Sequence, residues 1–167
     1  VEVVVMTNRT IHGIFVMAMA LGLVACGRPF DIETPDSFVE LEESRASQYD
    51  YRATSADGVV VAVRAIENER EGSIDFWAEA VRNKLRDGRG YALLEEEDMP
   101  ARTGISGKQM RFGRDESGHT YRYWVTLYVR DTGRNPMVWV IEAGGQEEVF
   151  ARRQEEIETL VSSFAPR

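Results

Sequence analysis

At 167 residues the chain has room for one ordinary domain and not for two well-packed ones. Its 28 acidic side chains against 20 basic ones leave a net charge of −8, which opposes attraction to nucleic acid, because phosphate binding runs on cations that displace counterions. Apolar residues at 43% and aromatics at 10% exclude a disordered chain.

The first element is apolar. Counted from Met6, the stretch Thr7 to Thr10 is a short leader made basic by Arg9, and Ile11 to Val24 is an apolar run broken by His12 and two glycines. That is the layout of a secretory signal. At about 14 residues the run falls short of the roughly 20 that a helix needs to cross a bilayer. A helical signal peptide over 1–25 follows, with Val1–Val5 either an extension from a misplaced start or the trace of a non-AUG start codon at Val1. The run ends in Leu23-Val24-Ala25-Cys26, which resembles the lipobox of bacterial lipoprotein precursors. The resemblance implies diacylglycerol on the Cys26 thiol, cleavage before Cys26, further acylation of the new amino group, and thus a membrane partner reached through lipid. One acyl chain would hold the protein only marginally, and two or three give lasting attachment. A buried free cysteine or an uncleaved anchor are the alternatives at Cys26. As the chain's one cysteine it permits no intrachain disulfide and no cysteine zinc site. Gly27 follows where enteric lipoproteins kept on the inner membrane carry Asp, so the resemblance favours the periplasmic face of an outer membrane. Removing 1–25 takes away Glu2 and Arg9 and leaves the charge at −8.

Residues 26–28 form a lipidated start and short tether, and 29–167 one domain. Phe30–Glu33 alternates as a short strand before the turn at Thr34-Pro35-Asp36. Phe38–Glu42 and Tyr49–Thr54 are strand-like, and Asp57-Gly58 predicts a tight hairpin, both residues at positive φ, into Val59–Ile66. Ser73 caps a helix whose Ile74, Trp77, Val81 and Leu85 share one face and which stops at Asp87-Gly88. Ala92–Leu94, Gly107–Phe112, His119–Arg130 and Met137–Ala143 are strands, joined by hairpin loops at 114–118 and 131–136. Gln146–Phe164 closes the chain as an amphipathic helix with Val149, Phe150, Ile157, Leu160, Val161 and Phe164 on its stripe. Runs of strands with separated helices mean α+β, a mostly antiparallel sheet with two packed helices. This order, with the opening Phe30-x-Ile32-x-x-Pro35 and the closing Ser162-Ser163-Phe164, resembles the PsbP/Mog-like α/β sandwich superfamily. The resemblance implies a fold and an accessory role more than a chemistry.

Few residues offer chemistry. His119, with Asp115 and Glu116 across a turn, could begin a metal site or serve a hydrolase, but lacks further ligands, so a solvated hairpin end is the plainer reading and no metal is assigned. Glu95-Glu96-Glu97-Asp98 is a block rather than the spaced acids of a calcium loop, and reads as a solvated face. Gly104–Gln109 fails the phosphate-loop pattern at both ends, at Arg102 and at Gln109. There is no Gly-x-Ser-x-Gly elbow, so no catalytic residue and no cofactor is assigned. The strand from His119 to Arg130 is the unusual one. Tyr121, Tyr123, Val125, Leu127 and Val129 form one face, and Arg122, Trp124, Tyr128 and Arg130 lie on the other, a mixture enriched at binding hot spots. Either that face is open and binds, or a helix covers Trp124 and Tyr128 with arginine stems packed over them.

Three functions remain at this stage. The first is a non-catalytic envelope lipoprotein that binds or helps assemble a protein partner. The second is a small-ligand or lipid-binding module using a cleft near Trp77, Trp124 and Trp139. The third is an enzyme working through His119 with Asp115 or Glu116.

Overall fold

The computed structural model describes residues 27–42, 48–133 and 135–167; the segment expected to be signal peptide and lipobox, with Leu23, Val24, Ala25 and Cys26, lies outside the described residues. In chain order the elements are β1 (Phe30–Asp31), β2 (Phe38–Glu40), β3 (Tyr51–Ser55), β4 (Val60–Glu67), α1 (Ile74–Arg89), β5 (Ala92–Asp98), β6 (Gly107–Glu116), β7 (His119–Arg130), β8 (Met137–Gln146), α2 (Glu147–Ser163) and β9 (Ala165–Pro166). Seven strands form one antiparallel sheet in the order β2-β3-β4-β8-β7-β6-β5, and β1 pairs with β9 as a separate ribbon. The α+β expectation holds, with two helices on a mostly antiparallel sheet.

The strands' alternation sends the apolar side chains to two opposite cores. On one face Val61, Val63, Trp124, Tyr128, Trp139 and Ile141 pack under α2 through Phe150, Ile157, Leu160 and Phe164. On the other, Val125, Leu127, Val138 and Val140 pack under α1 through Ala78 and Leu85. The sheet's central strands β7 and β8 are therefore covered on both sides, which is why they read as nearly continuous apolar runs.

The local signals mostly act as expected. The Ser73 hydroxyl accepts the Phe76 N–H at 3.2 Å, satisfying one orphan donor of α1. The helix does not stop at Asp87-Gly88; it runs through Gly88 and closes at Gly90, whose φ of 70° is the left-handed cap. A helical glycine costs only about 1 kcal/mol against alanine, too little to end a helix by itself. At the Asp57-Gly58 hairpin only Gly58 takes positive φ, at 99°. Asp57 instead uses its carboxylate, accepting the Ser55 hydroxyl at 2.7 Å and the Arg153 guanidinium at 3.3 Å. The tight two-residue turn appears instead in the β6–β7 hairpin, where Ser117 and Gly118 have φ of 52° and 80°.

Two features went unread. The acidic block Glu95–Asp98 belongs to edge strand β5, because cross-strand and helix cations neutralise it: Arg111 reaches Glu95 at 3.0 Å and Glu97 at 2.8 Å, and Arg82 reaches Glu96 at 3.0 Å. The β1–β9 ribbon ties both ends of the domain together, with the Arg167 N–H donating to the Pro29 carbonyl at 3.0 Å and the Arg167 guanidinium paired to Asp31. Contacts even reach back into the expected tether, since Arg28 pairs with Glu40 at 2.7 Å and lies 5.2 Å from the Tyr51 ring centre.

Gly107 opens β6 directly opposite Tyr128. A Cβ there would collide with the Met99 carbonyl oxygen and sit 2.5 Å from the Tyr128 ring. Gly107→Ala is therefore expected to cost about 1–3 kcal/mol by overpacking, read as a lower urea midpoint at unchanged slope. An unchanged midpoint would mean the strand entry shifts freely.

Candidate functional site

The arginine-aromatic face of β7 is covered. Trp124 is 5% exposed and meets Phe150 edge-on at 5.0 Å, and Tyr128 is 1% exposed and stacks on Phe164 at 5.1 Å. The open-face alternative is therefore corrected: α2 has to bury its stripe on some sheet surface, and this is the surface it takes. Only the strand's ends reach solvent. Arg122 pairs with Glu147 at the start of α2, and Arg130 lies 5.0 Å over the Trp139 ring while donating to the Asn135 and Arg167 carbonyls. A polar groove of about 450 Å³ remains beside Trp124, lined by Arg111, Arg122, Glu95 and Glu147. Its cations are already paired, and Arg111 sits 4.3 Å over the Trp124 ring, the stem-over-aromatic arrangement.

Burial sets the alkaline limit of this core. It pushes the Tyr128 phenol up to about 12, and burial with the neighbouring Glu142 carboxylate holds Tyr123 well above its ordinary value. A phenol whose folded value lies above its unfolded value of about 10 contributes full stability below pH 10 and loses it as pH rises toward 12. The loss expected from Tyr128 is on the order of 2–3 kcal/mol. A stability titration should fall above pH 10 and fall less steeply in Tyr128→Phe; identical slopes would refute the assignment.

The hairpin of His119 brings together less than its sequence suggests. His119 stands opposite Glu116, and Asp115 is opposite Thr120, whose hydroxyl it accepts at 2.7 Å, so Asp115 and His119 lie on different faces. Glu116 is engaged by Arg114 at 2.7 Å. Among the described residues no three His, Cys, Asp or Glu side chains gather as metal ligands. Lys108, in the segment tested against the phosphate loop, is a strand residue held by Asp75 at 3.1 Å and Glu96 at 3.4 Å.

The three tryptophans do not share a cleft. Trp124 and Trp139 belong to the α2 core, and Trp77 packs on the α1 side, with the sheet between them. Beside Trp77, however, there is a cavity of about 300 Å³ between α1 and the β4 side of the sheet. It forms because α1 lies over β5 to β7 and leaves β4 without a helix on that face. Across its floor Glu142 of β8 accepts the Arg64 guanidinium at 3.1 Å and the Tyr123 hydroxyl at 2.8 Å through the same oxygen. The other Glu142 oxygen and the Arg64 Nε are buried and have no hydrogen-bond partner among the described residues. The sequence does carry a hint of this pair: Arg64 and Glu142 each interrupt an apolar run, and opposite charges inside two largely buried strands call for each other.

No family model and no curated protein matches the sequence. Solved structures do match. LpqN of Mycobacterium tuberculosis, described as involved in cell envelope biogenesis, superposes with a TM-score of 0.65 at 12% identity, covering 81% of this chain and 82% of that one. The PsbP protein of the cyanobacterium Synechocystis gives 0.54 at 15% identity over 83% and 87% of the two chains. The Ran-binding protein Mog1p of Saccharomyces cerevisiae gives 0.56 at 15% identity over 85% and 92%. At such identities the likeness is one of fold, and the fold of this chain is that of the PsbP/Mog-like α/β sandwich.

Proposed function

We propose that this chain is a bacterial lipoprotein of the cell envelope, anchored by lipid on Cys26, whose domain binds an envelope protein partner rather than catalysing a reaction. The observation that carries the reading is positional. Cys26 directly follows the apolar run, and the domain begins at once behind it, with Arg28 and Phe30 already packed and the Pro29 carbonyl bonded to Arg167. The described residues from Gly27 onward form both cores and the β1–β9 ribbon, which is what a domain released by cleavage before Cys26 requires. The shared fold with LpqN supports an envelope role, and Gly27 in place of Asp favours the periplasmic face of an outer membrane. Covered aromatics on β7 move the partner surface away from Trp124 and Tyr128.

Lipidation is tested by feeding an alkyne fatty acid to a bacterial host expressing the full chain. Labelled protein in the detergent phase is expected, and Cys26→Ser should lose label and membrane attachment while keeping its thermal midpoint, because Cys26 precedes the first strand and joins none of the domain's apolar sequence patterns. Unlabelled wild-type protein in the aqueous phase would overturn the reading. A second reading, a small-ligand module, is favoured by one observation, the cavity beside Trp77 with its two unpaired buried polar atoms.

A further inference from the structure

We propose that the cleft between α1 and β4 binds a small amphipathic anion: a compact apolar body carrying one carboxylate or phosphate head. This deepens the small-ligand reading and is independent of the lipid anchor, which stands or falls by acyl labelling alone.

The walls supply the apolar half. Trp77, Val81 and Leu85 descend from α1, and Val125 and Val140 rise from the sheet. Ile66 at the rim is 36% exposed, on the stretch of β4 that no helix covers. The volume of about 300 Å³ lies at the small end of ligand pockets, so it suits one short chain or ring and excludes a two-chain lipid.

Charge supplies the rest. Arg64, Lys84 and Arg89 line the cleft against the single carboxylate of Glu142, a local excess of two positive charges in a chain of −8. Glu142 engages Arg64 and the Tyr123 hydroxyl through one oxygen and leaves the other without a donor, so it neutralises Arg64 alone among the three cations. By contrast, Lys84 and Arg89 make no hydrogen bond or ion pair among the described residues, and the Arg64 Nε is buried without an acceptor. Cations left unpaired beside an apolar cleft, with a buried N–H that lacks an acceptor, complement an anionic head whose body lies against Trp77. The α1 macrodipole places its negative end near Arg89, which accounts for that residue's position but not for Lys84 one turn earlier or for the Arg64 Nε.

The probes are decanoate and decyl phosphate, with decanol as the same body without charge, titrated into the full chain below their micelle concentrations. Saturable one-to-one binding of at least one anion is expected, at least roughly tenfold tighter than decanol. Which anion binds more tightly identifies the head group. Trp77→Phe should remove the accompanying tryptophan fluorescence change. Lys84→Glu with Arg89→Glu should weaken anion binding at least roughly tenfold and leave decanol unchanged, with both exposed substitutions checked for an unaltered thermal midpoint. Equal affinity for decanol and the anions, binding unaffected by the charge reversal, or a fluorescence change that persists in Trp77→Phe would each overturn the proposal.

Discussion

Trp139→Ala should leave little of the cooperative unfolding transition. Trp139 is fully buried on β8, with Tyr128 opposite on β7 and Ala65 opposite on β4, so its indole fills the middle of the α2 core. Truncating such a side chain costs about 3–5 kcal/mol, against a total stability of about 5–15 kcal/mol for a domain of this kind. The expected outcome is a urea midpoint displaced far toward zero. Trp139→Phe is the informative partner, because the indole N–H is buried and has no acceptor among the described residues. Replacing it removes an unsatisfied donor worth about 1–3 kcal/mol, which offsets much of the lost volume. Phe should therefore cost no more than about 2 kcal/mol. If Phe is as damaging as Ala, the unpaired N–H is not what this core tolerates.

Phe164→Ala should be nearly as costly and should fail in a different place. The ring stacks on Tyr128 and tilts against Phe30 at 5.3 Å, so one side chain joins the end of α2 to both the main sheet and the β1–β9 ribbon. Its removal is expected to cost about 3–5 kcal/mol overall. Hydrogen exchange should show more. The Glu33 N–H, held by the Ser163 hydroxyl at 2.9 Å, and the Arg167 N–H, held by Pro29, should lose protection while amides of β7 and β8 keep most of theirs. Unchanged protection at Arg167 would show that the ribbon stands without the ring.

The legible part of the fold was periodic. His119–Arg130 is one strand to the residue, and the α2 stripe from Phe150 to Phe164 is buried as spaced, because period-two and period-3.6 patterns register directly which side meets a core. What escaped depends on partners distant in sequence. Glu95–Asp98 has poor strand propensity alone and becomes strand because Arg111, Lys108 and Arg82 come to it. β9 is two residues ending in proline, visible only once Phe30 and Asp31 lie beside it. The site fared worse for the same reason. A strand face of Arg, Trp and Tyr reads alike whether a helix lies on it or not, and the cleft at Arg64 and Glu142 exists only where α1 stops covering the sheet. The expected lipobox at Leu23 to Cys26, by contrast, rests on a local pattern that needs no tertiary partner, and it lies outside the described residues.

The two edges of the sheet also bear on how copies of the protein coexist. A free edge offers unpaired backbone groups to any neighbouring strand. Here one edge is β2, only three residues long, and the other is β5, bearing Glu95, Glu96, Glu97 and Asp98 in succession. A second β5 brought alongside would have to disturb the ion pairs that Arg111, Arg82 and Lys108 make with this acidic run, and a second β2 would gain too few hydrogen bonds to hold. Neither edge therefore offers a long, flat, apolar template on which a second copy could extend the sheet.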